Sequence, residues 1–155
     1  MLRYSEVRIT FSEVPNEISL TISICGCPNR CPGCHSPHLW KDEGDILTAD
    51  KLRSLILKND GITCVCLLGG DADKDSVAEL VKMVKTEFTL KTCWYSGREL
   101  KNAGNTLPYL DFIKTGPYIE DLGPLNSIYT NQTFYEIKNI DGLLVFENKT
   151  YLFQK

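Results

Sequence analysis

Apolar and small polar residues alternate without a break from position 18 to 25, Ile-Ser-Leu-Thr-Ile-Ser-Ile-Cys. A period of two is the mark of a strand with two unlike faces, here expected to be half-buried. Arg8, Ile9, Thr10 and Phe11 alternate as well, and Val14-Pro15-Asn16-Glu17 supplies a turn between the two runs, so the chain is expected to open with a hairpin. The period then lengthens. Thr48 is placed to cap a helix in which Leu52, Leu55 and Ile56 share one face, and Asn59-Asp60-Gly61 ends it. In a second helix Val77, Leu80, Val81 and Val84 follow the i, i+3, i+4, i+7 rule, with Asp75 or Ser76 as cap. Residues 62–68, 90–95 and 111–115 read as strands between and after these helices.

Strands that alternate with helices imply right-handed crossovers and a largely parallel sheet. A closed eight-fold barrel takes about 250 residues, more than the 155 present. The expected fold is therefore α/β: a small open partial (βα) barrel of mostly parallel strands behind the N-terminal hairpin. The end of the chain differs in character. Residues 134–137, 143–146 and 151–153 look like strands, with turns at Asp141-Gly142 and Glu147-Asn148-Lys149, forming a short β-rich tail. The expectation is one domain over residues 1–155, with a core over 1–132 and the tail over 133–155. No internal repeat or low-complexity segment interrupts it.

Composition narrows the function classes. A content of 43% hydrophobic and 24% charged residues is ordinary for a globular protein. The net charge of −3 supplies no basic field, so no nucleic-acid partner is expected. The first residues lack the apolar core of a signal peptide, and no apolar run reaches membrane-spanning length; no membrane partner and a cytoplasmic location are expected. Seven cysteines without a secretion signal fit a reducing compartment better than a disulfide framework. Cys64, Cys66 and Cys93 lie inside strand-like apolar runs and Cys25 ends one, so packing accounts for these four.

The remaining three stand together in Gly26-Cys27-Pro28-Asn29-Arg30-Cys31-Pro32-Gly33-Cys34-His35, directly after the first clear strand. Spacings of three and then two residues let three thiolates converge on one inorganic centre. No fourth cysteine follows at cluster-like spacing. If the centre is an iron–sulfur cluster, one iron lacks a protein ligand, and an open metal position is where chemistry happens. One strand later the chain reads Gly69-Gly70-Asp71, and after the next strand Ser96-Gly97. In open α/β sheets ligands bind beyond the carboxyl ends of the strands, so all three loops are expected on one edge. Glycine pairs let backbone approach a ligand closely. Their N–H and C=O groups suit an amino acid moiety, and Asp71 is placed to hold its ammonium or to orient the loop.

With C-x3-C-x2-C followed by a histidine and then a Gly-Gly-Asp strand end, the chain resembles the radical S-adenosylmethionine superfamily. More narrowly, it is similar to the anaerobic ribonucleoside-triphosphate reductase activating proteins. The cysteine loop through Ser36-Pro37, the end Leu67-Leu68-Gly69-Gly70-Asp71, Trp94-Tyr95-Ser96-Gly97 and Pro117-Tyr118-Ile119-Glu120 carry the likeness, which spans most of residues 7–135. The resemblance implies that Cys27, Cys31 and Cys34 ligate a [4Fe–4S] cluster whose unique iron binds the amino and carboxylate groups of S-adenosyl-L-methionine. It implies that Gly33, Cys34 and His35 lie along the adenosyl part, that Gly70, with Gly69 and Asp71 beside it, contacts the methionine amino group, and that Ser96 also contacts the cofactor. It further implies reductive cleavage of that cofactor and generation of a glycyl radical on the large subunit of anaerobic ribonucleoside-triphosphate reductase, with flavodoxin or ferredoxin as electron donor. No general acid or base is required, so no catalytic residue is named beyond the cluster ligands. The rivals are activation of another glycyl-radical enzyme or modification of a peptide, a simple electron carrier, and a structural zinc module completed by His35 or Cys25.

Overall fold

A computed structural model describes residues 1–26 and 44–154. Its centre is a block of four parallel strands. The alternating run becomes β2 (Ser19–Ile24), and β4 (Cys64–Leu68), β5 (Lys91–Tyr95) and β6 (Phe112–Thr115) follow it side by side in chain order. Antiparallel strands flank the block. β1 (Leu2–Thr10) pairs with β2, and β3 (Asp45–Leu47) adds to the outside of β1; at the far end β7 (Thr133–Ile140) pairs with β6 and β8 (Leu143–Asn148) with β7.

The result is one mixed sheet of eight strands in the order β3-β1-β2-β4-β5-β6-β7-β8. The α/β class, the opening hairpin and the β-rich tail agree with expectation. The mostly parallel partial barrel does not: more adjacent pairs are antiparallel than parallel. Parallel pairing needs a crossover. The β2-to-β6 stretch supplies the parallel pairs, whereas β1 joins β2 and the tail joins β6 antiparallel, and β3 adds antiparallel to the outside of β1. β3 is a three-residue edge too short to show a period, and residues 151–153 form part of a 3-10 turn, Thr150–Phe153, not a strand.

Both predicted helices form. In α1 (Ala49–Leu57) the Thr48 hydroxyl accepts from the Lys51 amide at 3.1 Å, and Leu52 and Ile56 are buried. In α2 (Lys74–Glu87) the cap is Asp73, two or three residues before the expected ones, because its carboxylate reaches both the amide and the hydroxyl of Ser76. The buried face of α2 carries Val77, Leu80, Val81 and Val84, as its spacing predicts.

The helices cover one face of the sheet. Leu20, Ile22 and Ile24 of β2, Val65 and Leu67 of β4, Trp94 of β5 and Ile113 of β6 pack against Leu52, Ile56 and the α2 stripe. The opposite face is covered too, by Val14, Leu125 and Phe153 from loops and the tail. Hence β2 is buried along its whole length, not half-buried. Its polar side, Ser19, Thr21 and Ser23, points into this second layer, where the Thr21 and Thr10 hydroxyls share a 2.6 Å hydrogen bond.

Phe134 holds the second layer together: its ring lies 5.7 Å from Phe112, 4.9 Å from Phe153 and 6.3 Å from Tyr95, centroid to centroid, and it is fully buried. Truncation of such a ring forfeits both transfer energy and packing. Phe134→Ala is expected to lower unfolding free energy by about 3–5 kcal/mol in urea titration; a loss below about 1 kcal/mol would mean that the tail is not packed on the sheet in this way.

Candidate functional site

The carboxyl ends of β2, β4, β5 and β6 lie along one edge, so the predicted loops gather there. The glycine pair is the best defined part. Gly69 and Gly70 have φ of +99° and +104°, in the left-handed region that favours glycine. A Cβ on Gly70 would stand 2.7 Å from Val77 Cγ2, and one on Gly69 would stand 3.2 Å from the Ile24 carbonyl oxygen. Close packing against α2 and β2 therefore demands glycine at both positions. The pair is pinned from β5: the Gly69 amide donates to the Tyr95 carbonyl at 3.0 Å, and Trp94 Nε1 donates to the Gly69 carbonyl at 2.7 Å.

Asp71 follows and is buried. Its Oδ1 accepts from the Ser96 hydroxyl at 2.5 Å and its Oδ2 from the Gly97 amide at 2.9 Å. Ser96 Oγ in turn accepts from the Arg98 amide at 3.1 Å. The next loop is tied in the same fashion, with the Ser96 amide donating to Lys114 O at 2.9 Å and the Gly116 amide to Arg98 O at 2.7 Å. The three strand ends thus form one hydrogen-bonded rim, in which Asp71 orients the glycine loop against the Ser96 loop.

The cysteine loop departs from the fourth strand end. The Cys25 amide donates to Arg3 O at 2.8 Å, and Arg3 Nη1 donates to Gly44 O at 3.0 Å. At Gly44 a Cβ would stand 2.3 Å from Tyr4 O and 3.0 Å from Cys25 Sγ. The chain leaves the sheet at Gly26 and rejoins it at Gly44, and the two points are held together beside Tyr4. Ile24, which abuts Gly69, lies one residue before Cys25. Cys27, Cys31, Gly33, Cys34 and His35 themselves lie outside the described residues.

The other thiols are set apart from this edge. Cys64, Cys66 and Cys93 are fully buried in the second layer, with Cys66 directly beside Cys93 in the parallel register. Burial pushes the thiols of Cys64 and Cys93 well above the ordinary cysteine range, and neighbouring cysteines add to it. Protonated thiols are poor metal ligands. Among the described residues no group of three or more His, Cys, Asp or Glu is arranged to hold a metal ion. The packing role expected for these three cysteines agrees with their places.

A cavity of about 590 Å3 opens over the same edge. Leu68, Tyr95 and Lys114, neighbours across β4, β5 and β6, make its floor, and Tyr118 and Leu125 contribute to its wall. The Lys114 ammonium sits 5.4 Å from the centre of the Tyr95 ring, and the Tyr95 hydroxyl donates to Glu13 O. A larger hollow of about 840 Å3 lies at the amino ends of the strands, between Ile62, Phe88, Lys91 and Asp111. It is open, is bordered by the Lys85–Asp111 and Lys91–Glu17 ion pairs, and is at the wrong end of the sheet to meet the glycine pair.

Two residues of the rim escaped sequence reasoning. Trp94 holds Gly69, and its place just before Ser96-Gly97 is the signal that marks it. Lys114 faces the cavity, and its signal is a lysine directly after the apolar pair Phe112-Ile113 in a four-residue strand.

The model of the 4Fe-4S single cluster domain family matches residues 18–137. The chain belongs to that family. The match runs from the start of β2 into β7 and so takes in the cysteine loop, the glycine pair and the whole parallel block of this 4Fe-4S single cluster domain. It favours iron and sulfur over the structural zinc alternative. Searches of curated proteins and of solved structures return no match. No helix among the described residues is long and apolar enough to cross a membrane.

Removing the Asp71 carboxylate would leave a buried hydroxyl and a backbone amide unpaired. Asp71→Ala is expected to destabilise the fold by about 1–3 kcal/mol in chemical denaturation, with Asp71→Asn in between. Wild-type stability in the alanine variant would show that the rim does not depend on this carboxylate.

Proposed function

We propose that the protein is a radical S-adenosylmethionine activase that generates a glycyl radical on anaerobic ribonucleoside-triphosphate reductase. One observation carries the reading: Gly69 of the glycine pair packs against Ile24 at the end of β2, from which the three-cysteine loop departs. The loop that carries the three cysteines and the glycine pair therefore leave the sheet at one edge, which supports a site shared between them.

The donor set fits the cluster. Soft thiolates select iron–sulfur clusters, and three of them, Cys27, Cys31 and Cys34, leave one iron free for an exogenous ligand. Cys64, Cys66 and Cys93 supply no fourth, because they are buried in the second layer away from this edge. When bound, the cluster supplies one electron for the reductive cleavage of S-adenosylmethionine, with flavodoxin or ferredoxin as the source.

The chain's own residues do the positioning. Gly69 and Gly70 lie along the methionine end, and the hydrogen bonds of Gly69 to Tyr95 and Trp94 hold the pair in place there. Asp71 and Ser96 line the same side; Asp71 places negative charge where an ammonium docks. Gly33, Cys34 and His35 take the adenosyl end. Preorganisation of this kind turns a collision into a near-unimolecular event. The cavity above Leu68, Tyr95 and Lys114 opens beside the rim, where a segment of a partner protein can enter.

The test is cofactor cleavage. Protein purified and reconstituted without oxygen is mixed with dithionite and S-adenosylmethionine, and 5′-deoxyadenosine and methionine are measured by chromatography. Wild type and Cys64→Ala are expected to form both products, and Cys31→Ala neither. Product from Cys31→Ala, or none from wild type, would overturn the reading.

A further inference from the structure

Between β6 and β7 the chain makes a loop, residues 116–132, whose ends are tied together: Asn131 Nδ2 donates to Pro117 O at 3.0 Å and Gln132 Nε2 to Gly116 O at 3.3 Å. Its interior is equally fixed. The Leu122 and Gly123 amides donate to Ile119 O at 3.0 and 2.9 Å, the Ser127 amide to Pro124 O at 2.9 Å, and Gln154 Nε2 to Ser127 O at 2.9 Å. Leu125 is buried beneath it. A compact, self-bonded loop with close ends is a common carrier of function.

On this frame Ile128 and Tyr129 are 71% and 72% exposed, and Ile119 is 41% exposed. Single exposed apolar residues are ordinary, but here three stand on one ordered loop that also walls the cavity over the β4–β6 edge through Tyr118 and Leu125. The loop's charged residues are Glu120 and Asp121, both exposed. That acidic pair argues against an anionic membrane, which favours Lys and Arg beside its apolar anchors. It also argues against a second copy of this loop, which would bring both acidic pairs together.

We propose that residues 116–132 form the docking surface for a folded partner protein, with Ile128 and Tyr129 as apolar anchors. The partner presents an apolar patch edged by basic side chains, next to an extended segment that enters the cavity above Leu68, Tyr95 and Lys114. The anchors stand on the same loop that walls the cavity through Tyr118, Pro124 and Leu125, so docking there sets which stretch of the partner reaches the glycine-pair edge. Exposed tyrosine is a frequent energetic centre of such contacts, and the acidic pair steers the encounter. The proposal rests on the reading that the edge acts on a protein.

The test measures binding and cleavage separately. Reconstituted full-length protein is titrated anaerobically with the glycyl-radical subunit of the anaerobic reductase, and the dissociation constant is read by calorimetry. Ile128→Asp and Tyr129→Ala are each expected to weaken the complex by about tenfold or more, and Glu120→Lys to weaken it in low salt but not in high salt. Cleavage of S-adenosylmethionine with dithionite, partner absent, is expected to stay at the wild-type level in all three. Wild-type affinity in both anchor variants, no complex with the wild-type protein, or loop-dependent sedimentation with phosphatidylserine vesicles would overturn the proposal. Failure of cleavage in the wild type would instead strike the activase reading, and the binding curves report independently of it.

Discussion

Hydrogen bonds along the carboxyl ends of β4, β5 and β6 hold the loops of this sheet in one plane, and the candidate site depends on them. Asp71 receives Ser96 and Gly97, Trp94 clasps the Gly69 carbonyl, and Gly116 reaches back to Arg98. These bonds are short and partly or wholly buried, where a lost partner is most costly. Two glycines can then sit in left-handed backbone without drifting, one against α2 and one against the last residue of β2. The rim's own hydrogen bonds thus fix the shape of this edge.

The sheet serves this edge differently on its two faces. On the helix side, aliphatic residues from β2, β4 and β6 and the α2 stripe make a conventional core. On the other side the layer is built from hydroxyls of β2, thiols of β4 and β5, and then the rings of Phe112 and Phe134. Small side chains at one end and large ones at the other let the loops carrying Val14 and Leu125 fold down over the sheet, leaving the cavity open toward its carboxyl edge. Burial holds the thiols of Cys64 and Cys93 protonated, which separates them chemically from the cysteines of the loop. Membership of the 4Fe-4S single cluster domain family accords with that division of labour.

Much of this was legible in the residues because periodicity is a local property. The period-two run at β2, the heptad-like stripe of α2 and the Thr48 cap each depend on near neighbours, and each forms where it was read. Long-range facts were not legible. Nothing near Ser19, Thr21 and Ser23 says that a second layer, with Leu125 and Phe153 from far along the chain, would cover them. The balance of parallel and antiparallel pairs was misjudged because crossovers announce themselves as helices, while β3 and the tail add antiparallel strands that no helix announces. At the site, Gly69, Gly70, Asp71 and Ser96 were named from spacing and do meet at one edge. The clasp from Trp94 and the inward lysine at position 114 needed the register of β5 and β6, which no local pattern encodes.

The most direct measurement of the central claim is Mössbauer spectroscopy of protein reconstituted with 57Fe, recorded before and after addition of S-adenosylmethionine. If three cysteines hold the cluster as proposed, one iron is expected to acquire a distinct isomer shift when the ligand arrives, while the cysteine-bound irons keep theirs. Spectra that show every iron already fully held by protein donors, and no change on addition, would contradict the account.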